Sequence, residues 1–194
     1  MSKKLLITDI TNLTDARYFA ALDVAYLGFS VEQSNPLFIG ETAISEIMNW
    51  TEGPALAVET GLESEKDLDA LSSIEPELVI VPPFASLEPN NNFATAKIHV
   101  VENEIVIDTE YTHHIIDFYS NSIKIDDTWK EELKSLSQKY SLYIKPLPQV
   151  EEVKSILKIE DVEGIVLMGS EEEEVGLKSF EEVDDIMDLL IEEI

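Results

Sequence analysis

The chain has 194 residues, of which 44% are hydrophobic and 27% charged; this suffices for one folded domain and excludes wholesale disorder. Its formal net charge of -27, with 13 Lys and Arg against 40 Asp and Glu, repels nucleic acid backbones and anionic membranes, so we expect neither as a partner. The absence of cysteine excludes disulfides, thiolate metal sites and a cysteine nucleophile.

The N-terminal segment lacks the features of a secretory leader. Two lysines precede only a short apolar run, which ends at Thr8 and Asp9. A signal peptide needs a longer apolar stretch, and no run elsewhere approaches the length of a membrane span. We therefore expect a cytoplasmic protein.

In the first half of the chain, buried-type strands alternate with amphipathic helices about every 25 residues. Thr14 and Ser64 are the expected N-caps of the first and third helices. The predicted strands cover residues 4–10, 24–30, 54–60 and 77–83, and the predicted helices cover residues 12–23, 40–50 and 64–74.

The middle of the chain departs from this alternation. Residues 84–95 offer little helix, and the interval between predicted strands at 96–101 and 112–118 is too short for a good crossover helix. Residues 104–108 predict a further short strand within that interval. We therefore expect shortened or missing helices around the fourth to sixth strands.

The C-terminal part of the chain is regular again. Asp127 is the expected N-cap of a strong helix over residues 127–140. Further strands are predicted at 141–146 and 162–169, further helices at 149–158 and 179–194, and the last helix is expected to turn Phe180, Val183, Ile186, Leu189 and Leu190 inward.

Continuous apolar runs are typical of strands that are buried on both faces, and therefore of a parallel sheet. Eight such strands with helices between most of them predict an α/β fold, a small (β/α)₈ TIM-type barrel, as one domain over residues 1–194. A flavodoxin-like open sheet is the alternative, although two or three of the predicted strands would have no place in it.

Both ends of the sequence resemble one enzyme family, the phosphoribosylanthranilate isomerases of tryptophan biosynthesis. Residues 10–29 are similar to the first strand–helix–strand unit of that family, and residues 143–157 and 164–190 are similar to its last two units. The matching positions are Ile10, Thr11, Asp15, Ala16, Leu27, Gly28 and Phe29, and near the C-terminus Gly176, Leu177 and Lys178. The resemblance implies a barrel isomerase that needs no cofactor.

The activity that the resemblance implies is an Amadori rearrangement of a phosphoribosyl amine. It requires a base at the ribose C2′ and an acid at the ring oxygen, and the family's base is a cysteine that ends the first strand. Thr8 occupies that position here, and a threonine hydroxyl is too weakly acidic to shuttle protons near neutral pH. Asp9 is the nearby substitute, but successive strand residues point to opposite faces, so we expect Thr8 and Asp9 not to share the pocket. A capping or turn role for Asp9 is the alternative.

Of two further positions to which the resemblance assigns a function, one keeps its residue type and the other does not. The resemblance implies that Asp117, at the end of the sixth predicted strand, is the acid; a loop-capping aspartate is the alternative. Leu37 stands where the family has a substrate-binding arginine, and it cannot pair with a carboxylate.

The implied phosphate site is also altered. Gly169 and Ser170 match the family's phosphate loop after the eighth strand, and Lys145 could attract phosphate as a point charge beside Pro146, which lacks an N–H donor. Four glutamates follow at 171–174, and their charge opposes phosphate binding. A solvated acidic loop is the alternative interpretation of this run.

No metal site is expected near the paired histidines. His113 and His114 lie close in sequence to Glu110 and Asp117. Adjacent residues on a strand point to opposite faces, so the two imidazoles cannot share one ion.

Three functions follow from the sequence. The first is an isomerase-like protein with impaired or absent activity, which binds at most a small phosphorylated metabolite weakly. The second is an active isomerase with Asp117 as general acid and a base other than cysteine. The third is an acidic, non-enzymatic module that binds a basic protein partner through residues 151–194. We expect a monomer or a homodimer.

Overall fold

Eight parallel strands form a closed barrel. The computed structural model describes residues 3–61, 73–82, 94–98, 100–101, 104–107, 111–169, 172–174, 177–178 and 181–193. In chain order the strands are β1 (Lys4–Thr8), β2 (Tyr26–Ser30), β3 (Ala55–Glu59), β4 (Leu78–Val81), β5 (Ala94–Ile98), β6 (Val100–Val101), β7 (Glu104–Ile105), β8 (His113–Asp117), β9 (Ser141–Lys145), β10 (Gly164–Met168), β11 (Glu172–Glu174) and β12 (Leu177–Lys178). The barrel strands are hydrogen-bonded in the order β1-β10-β9-β8-β5-β4-β3-β2, which confirms the predicted (β/α)₈ barrel.

Helices lie between most of the barrel strands. Those in the described part of the chain are α1 (Leu13–Ala20), α2 (Glu41–Met48), α3 (Asp127–Ser137), α4 (Val150–Leu157) and α5 (Glu181–Glu193). None of these described helices has both the length and the apolar character needed to cross a bilayer. The helix predicted at 64–74, with its cap Ser64, lies almost entirely outside the described residues.

The connection between β5 and β8 is shortened as expected. Its described residues form the antiparallel pair β6–β7 and contain no helix. The strand predicted at 104–108 is therefore present only as β7, and it does not join the barrel. A second antiparallel pair, β11–β12, follows β10 and includes Glu172–Glu174, whereas Glu171 lies outside the described residues.

The core has two parts because barrel strands bury both faces. One cluster fills the barrel interior and consists of Leu6, Tyr26, Ala57, Leu78, Ile80, Ile115, Tyr143 and Val166. The larger cluster lies between the strands and the helices, and it contains Leu5 and Ile7 of β1 together with buried side chains of α1, α2 and α5. In α5, Ile186 and Leu190 are buried as expected, Leu189 is partly buried, and the side chains of Phe180 and Val183 lie outside the described set.

Two predicted helix caps are displaced along the chain. Asn12, not Thr14, caps α1: its Oδ1 accepts a hydrogen bond of 2.9 Å from the Asp15 N–H, and Thr14 is exposed. Asp126, not Asp127, caps α3 by accepting hydrogen bonds from the next helical N–H groups. In both cases the capping side chain belongs to the extended residue just before the helix, which is the geometry that an N-cap requires.

We expect Asn12→Ala to lower the free energy of unfolding by about 1 kcal/mol, because an N-terminal N–H of α1 loses its acceptor. Urea denaturation measures this change. Thr14→Ala is the matched control, since that exposed side chain has no capping bond, and it should shift the midpoint much less. Equal effects of the two substitutions would contradict the assigned cap.

Three tyrosines make folding sensitive to alkaline pH. Burial raises the pKa of Tyr143, and the neighbouring Glu163 raises it further. Burial also raises the pKa of Tyr26, and burial together with a hydrogen bond to Asp184 raises that of Tyr18. Each phenol therefore stays protonated in the folded chain at a pH where the unfolded chain has already lost the proton.

The free energy of unfolding should consequently fall as the pH rises above about 10, the ordinary tyrosine pKa. The sign follows because the folded state then binds more protons than the unfolded state, so removing protons favours unfolding. Urea midpoints measured from neutral to strongly alkaline pH test this, and Tyr18→Phe should make the decline shallower. A midpoint that stays constant through the tyrosine range would contradict the assignment.

Candidate functional site

Polar residues end five of the barrel strands on the interior face. We call this carboxyl-terminal end of the barrel the mouth, defined by Thr8, Ser30, Glu59, Asp117 and Lys145. Strand alternation places them there, because residues two or four positions earlier on the same strands belong to the interior cluster. The mouth of a parallel barrel is where ligands bind in enzymes with this architecture, so these side chains form the candidate site.

Asp9 reaches the mouth together with Thr8, which corrects the expectation that only one of them could. The backbone of Asp9 turns into the left-handed region, with φ at 63°, immediately after β1 ends. This turn interrupts the strand alternation, and Thr8 Oγ1 lies 3.1 Å from Asp9 Oδ2 in a hydrogen bond. Aspartate tolerates positive φ better than most residues, so the sequence permits the turn.

Lys145 is the cation that approaches this pair. It ends β9, is only 9% exposed, and its Nζ lies 4.0 Å from Asp9 Oδ2. The same Nζ lies 5.6 Å from the centre of the Tyr119 ring, a distance at which an ammonium is attracted to the aromatic face. The sequence prediction placed Lys145 at a phosphate, whereas its described neighbour is a carboxylate.

Asp117 lies in the mouth but is engaged by the loop that follows its strand. Its Oδ1 accepts a hydrogen bond of 2.8 Å from the Ser120 N–H, and its Oδ2 accepts one of 2.6 Å from Ser120 Oγ. Its main-chain oxygen accepts a further bond from Asn121 Nδ2. These contacts are those of the loop-capping alternative, and the residue as a whole is 3% exposed.

Gly169, which the sequence predicts as a phosphate-binding residue, uses its main-chain N–H within the barrel. Its N–H donates to the carbonyl oxygen of Thr8 at 2.7 Å. A Cβ at this position would lie 3.2 Å from the Asp9 carbonyl oxygen, so glycine allows two chain segments to approach closely. Ser170, the second expected phosphate residue, lies outside the described residues.

Sequence reasoning missed Ser30 and Glu59. Ser30 is 1% exposed, and its hydroxyl has no hydrogen-bond partner among the described residues. Glu59 pairs with Ser30 in the β2–β3 register and is half-buried. The available signal was that each is the last polar residue of an otherwise apolar strand, at the end of the barrel where function concentrates.

The two histidines face opposite sides of β8, as expected. His114 is fully buried on the outer side, where its Nε2 lies 2.9 Å from the Tyr111 carbonyl oxygen and its ring packs edge-on to Tyr140. His113 Nδ1 instead lies 2.9 Å from Thr112 Oγ1. Within the described ranges no cluster of three or more metal-binding side chains occurs.

Leu37 lies on the rim of the mouth, in the loop between β2 and α2. It is 39% exposed, and the adjacent Phe38 is 44% exposed. Neither side chain can pair with a ligand carboxylate, so this rim offers apolar contact where the resemblance implied an arginine.

No protein-family model matches the sequence, and no curated protein sequence matches it. Solved structures do match. The phosphoribosyl anthranilate isomerase of Thermus thermophilus superposes with a TM-score of 0.75 at 16% identity, over 97% of this chain and 98% of that one. A phosphoribosyl anthranilate isomerase in complex with reduced 1-(o-carboxyphenylamino)-1-deoxyribulose 5-phosphate gives 0.69 at 15% identity, over 96% and 97% of the two chains.

A solved structure that is not named as an isomerase also has this barrel architecture. KGPDC of Streptococcus mutans superposes with a TM-score of 0.68 at 10% identity, over 100% of this chain and 99% of that one. Identities this low establish the fold and leave the chemistry to be argued from the side chains. The likeness covers nearly the whole chain, including the middle where the sequence resemblance is weak. The chain therefore has the TIM-type barrel fold of the phosphoribosylanthranilate isomerases.

Proposed function

We propose that this protein is a diverged relative of the phosphoribosylanthranilate isomerases that binds a small metabolite at the mouth without carrying out the isomerisation. The observation that carries the proposal is the contact between Thr8 and Asp9. At the strand end where the resemblance implies a proton-shuttling thiol, a hydroxyl donates a hydrogen bond to a carboxylate.

This arrangement is unsuited to removing the ribose C2′ proton. A general base must present a free acceptor to the proton it takes, with an affinity for that proton matched to neutral pH. The Thr8 hydroxyl fails the second condition, because an alcohol oxygen is far too weak a base near neutral pH. The neighbouring Asp9 carboxylate accepts a hydrogen bond from Thr8 and faces the ammonium of Lys145, 4.0 Å away, so it is directed at those two groups and not at a ribose carbon. Loss of one acid–base group of this kind typically slows an enzyme by about 10²–10⁴-fold.

Substrate binding is weakened independently of the base. The relative whose complex is described above holds a compound with both a carboxyphenyl group and a 5-phosphate. Here the N–H of Gly169 is occupied by a main-chain carbonyl, and Leu37 offers no charge on the rim. Lys145, a cation that the structure describes at the mouth, has carboxylates beside it, which reduces its attraction for a second anion.

A second candidate is an active isomerase that uses Asp9 as base and Asp117 as acid. The left-handed turn at Asp9 favours this candidate, because it places a carboxylate next to the position of the missing thiol. The two hydrogen bonds from Ser120 to Asp117 weigh against it, since they hold the carboxylate in the loop. The acidic protein-binding module stays a prediction, since the side chains of residues 171–183 lie outside the described set.

Complementation of a tryptophan auxotroph that lacks this isomerase separates the two candidates. We expect no growth without tryptophan when the full chain is expressed, and growth when an active isomerase is expressed from the same vector. An immunoblot must show comparable amounts of both proteins. Growth supported by the unmodified chain would refute the first candidate and establish the second.

A further inference from the structure

Lys145 has surroundings that a purely structural lysine does not need. It lies at the end of a barrel strand, where side chains meet ligands, and its side chain is 11% exposed. The Asp9 carboxylate is 4.0 Å away, which is longer than the 2.7–3.2 Å of a direct hydrogen bond, so both groups keep capacity for a further partner. The Tyr119 ring covers one side of the ammonium.

We propose that Lys145 forms an imine with a small, uncharged, polyhydroxylated aldehyde or ketone bound in the mouth, with Asp9 as its proton acceptor and donor. The inference rests on the proposal that the mouth is the ligand site. Imine formation at Lys145 does not require that the chain lack isomerase activity, because isomerase turnover is measured in a separate assay.

The charge of the mouth selects an uncharged carbonyl compound over a phosphate ester. Two carboxylates lie beside Lys145: Asp9, with Oδ2 4.0 Å from the ammonium, and Asp117, its partner in the β8–β9 register. A phosphate or carboxylate on the ligand would meet this excess negative charge in a poorly solvated site. We therefore expect the carbonyl compound to bring no anionic group close to Lys145.

Ser30 supplies the second recognition feature. A buried hydroxyl without a partner costs free energy, and its hydrogen-bonding capacity is restored when a ligand polar group reaches it. β2, which carries Ser30, and β9, which carries Lys145, are separated by β1 and β10 in the barrel. A ligand hydroxyl can therefore bind Ser30 on one side while its carbonyl carbon lies at Lys145 on another, with Thr8 and Asp9 between them.

The proposed step balances without any other reagent. The Lys145 ammonium transfers a proton to the Asp9 carboxylate, and the free amine attacks the carbonyl carbon to form a C–N bond. The carbonyl oxygen takes up a proton as the nitrogen releases one, which gives a carbinolamine. Asp9 then protonates the departing hydroxyl group, the C–O bond breaks, water leaves, and an iminium remains. Thr8 acts here as a positioning residue, because it holds Asp9 Oδ2 by a hydrogen bond.

Reductive trapping tests the proposal on the full chain. Unmodified protein is incubated briefly with D-glyceraldehyde and sodium cyanoborohydride, and the extent of alkylation at each lysine is mapped by peptide mass spectrometry. The hydride converts an iminium into a stable secondary amine. Lys139 is exposed and serves as the internal reference. A buried lysine with only a structural role would react more slowly than Lys139.

We expect Lys145 to be alkylated about tenfold faster than Lys139 or more, and Asp9→Asn to remove at least that advantage. Asparagine tolerates the positive φ of position 9, so the variant keeps the turn while removing the carboxylate. Glyceraldehyde 3-phosphate should alkylate Lys145 more slowly than glyceraldehyde does. Faster labelling of another lysine, an unchanged rate in the variant, or a preference for the phosphate ester would overturn the proposal.

Discussion

Gly164→Ala is expected to lower the free energy of unfolding by about 2–3 kcal/mol, the cost of overpacking a site that cannot relax. An added Cβ would lie 2.4 Å from Tyr143 Cε1 and 2.6 Å from the Lys4 carbonyl oxygen. The Tyr143 ring is 3% exposed inside the barrel, and Lys4 pairs with Gly164 in the β1–β10 register. If the Tyr143 ring moves away from the added Cβ, the interior cluster is disturbed. If the Lys4 backbone moves away, the β1–β10 pairing that closes the barrel is disturbed.

Gly40→Ala is the matched control for this substitution. No heavy atom lies within 4 Å of the corresponding Cβ, and the residue precedes α2 with an ordinary negative φ. Urea denaturation followed by circular dichroism should show a large loss of stability at position 164 and a small one at position 40. Similar midpoints for the two variants would mean that Tyr143 does not fill the barrel beside Gly164.

The double variant Thr8→Cys with Asp9→Gly is expected to show no isomerase turnover above background. It restores the cysteine that the resemblance implies at the end of β1, and glycine accepts the positive φ of position 9 without strain. Such an acid–base group raises the rate about 10²–10⁴-fold only when the substrate is bound with its reacting atoms next to that group. The Gly169 N–H is occupied and Leu37 is uncharged, so the required binding contacts are still missing.

Purified double variant, unmodified chain and an active isomerase are assayed side by side for this test. Thermal denaturation must first show that the double variant is folded. Turnover that appears only in the double variant would mean that the substrate site is intact and that these two positions alone block the reaction. That outcome would reject the part of the account that concerns lost phosphate binding.

The barrel was predictable because its signals are local and repeated. Apolar runs such as those of β2 and β9 are continuous over their buried lengths, and the polar residues at Ser30 and Lys145 end them clearly. The trimmed connection after β5 was also predictable, since the interval is too short for a helix. Helix caps were missed by one or two residues because Asn12 and Thr14 are both acceptable caps by type, and only backbone geometry distinguishes them.

The site was harder to predict because it depends on one departure from strand geometry. The alternation rule separates Thr8 from Asp9, and it fails there because the backbone of Asp9 enters the left-handed region. The pairing of Gly169 was not predictable for a related reason: its N–H bonds to β1, a segment 161 positions away, and no local pattern reports that contact. Lys145 was predicted as a site residue, but its carboxylate neighbour follows only from the closed barrel.

The central claim is that a hydroxyl–carboxylate–lysine group has replaced the proton-shuttling chemistry at the mouth of an isomerase-type barrel. Turnover of N-(5′-phosphoribosyl)anthranilate by the purified, unmodified chain tests this claim most directly. We predict a rate indistinguishable from the uncatalysed background at enzyme concentrations where an active isomerase consumes the substrate completely. A rate within about tenfold of that isomerase, which corresponds to less than 1.4 kcal/mol of lost transition-state stabilisation, would contradict the claim.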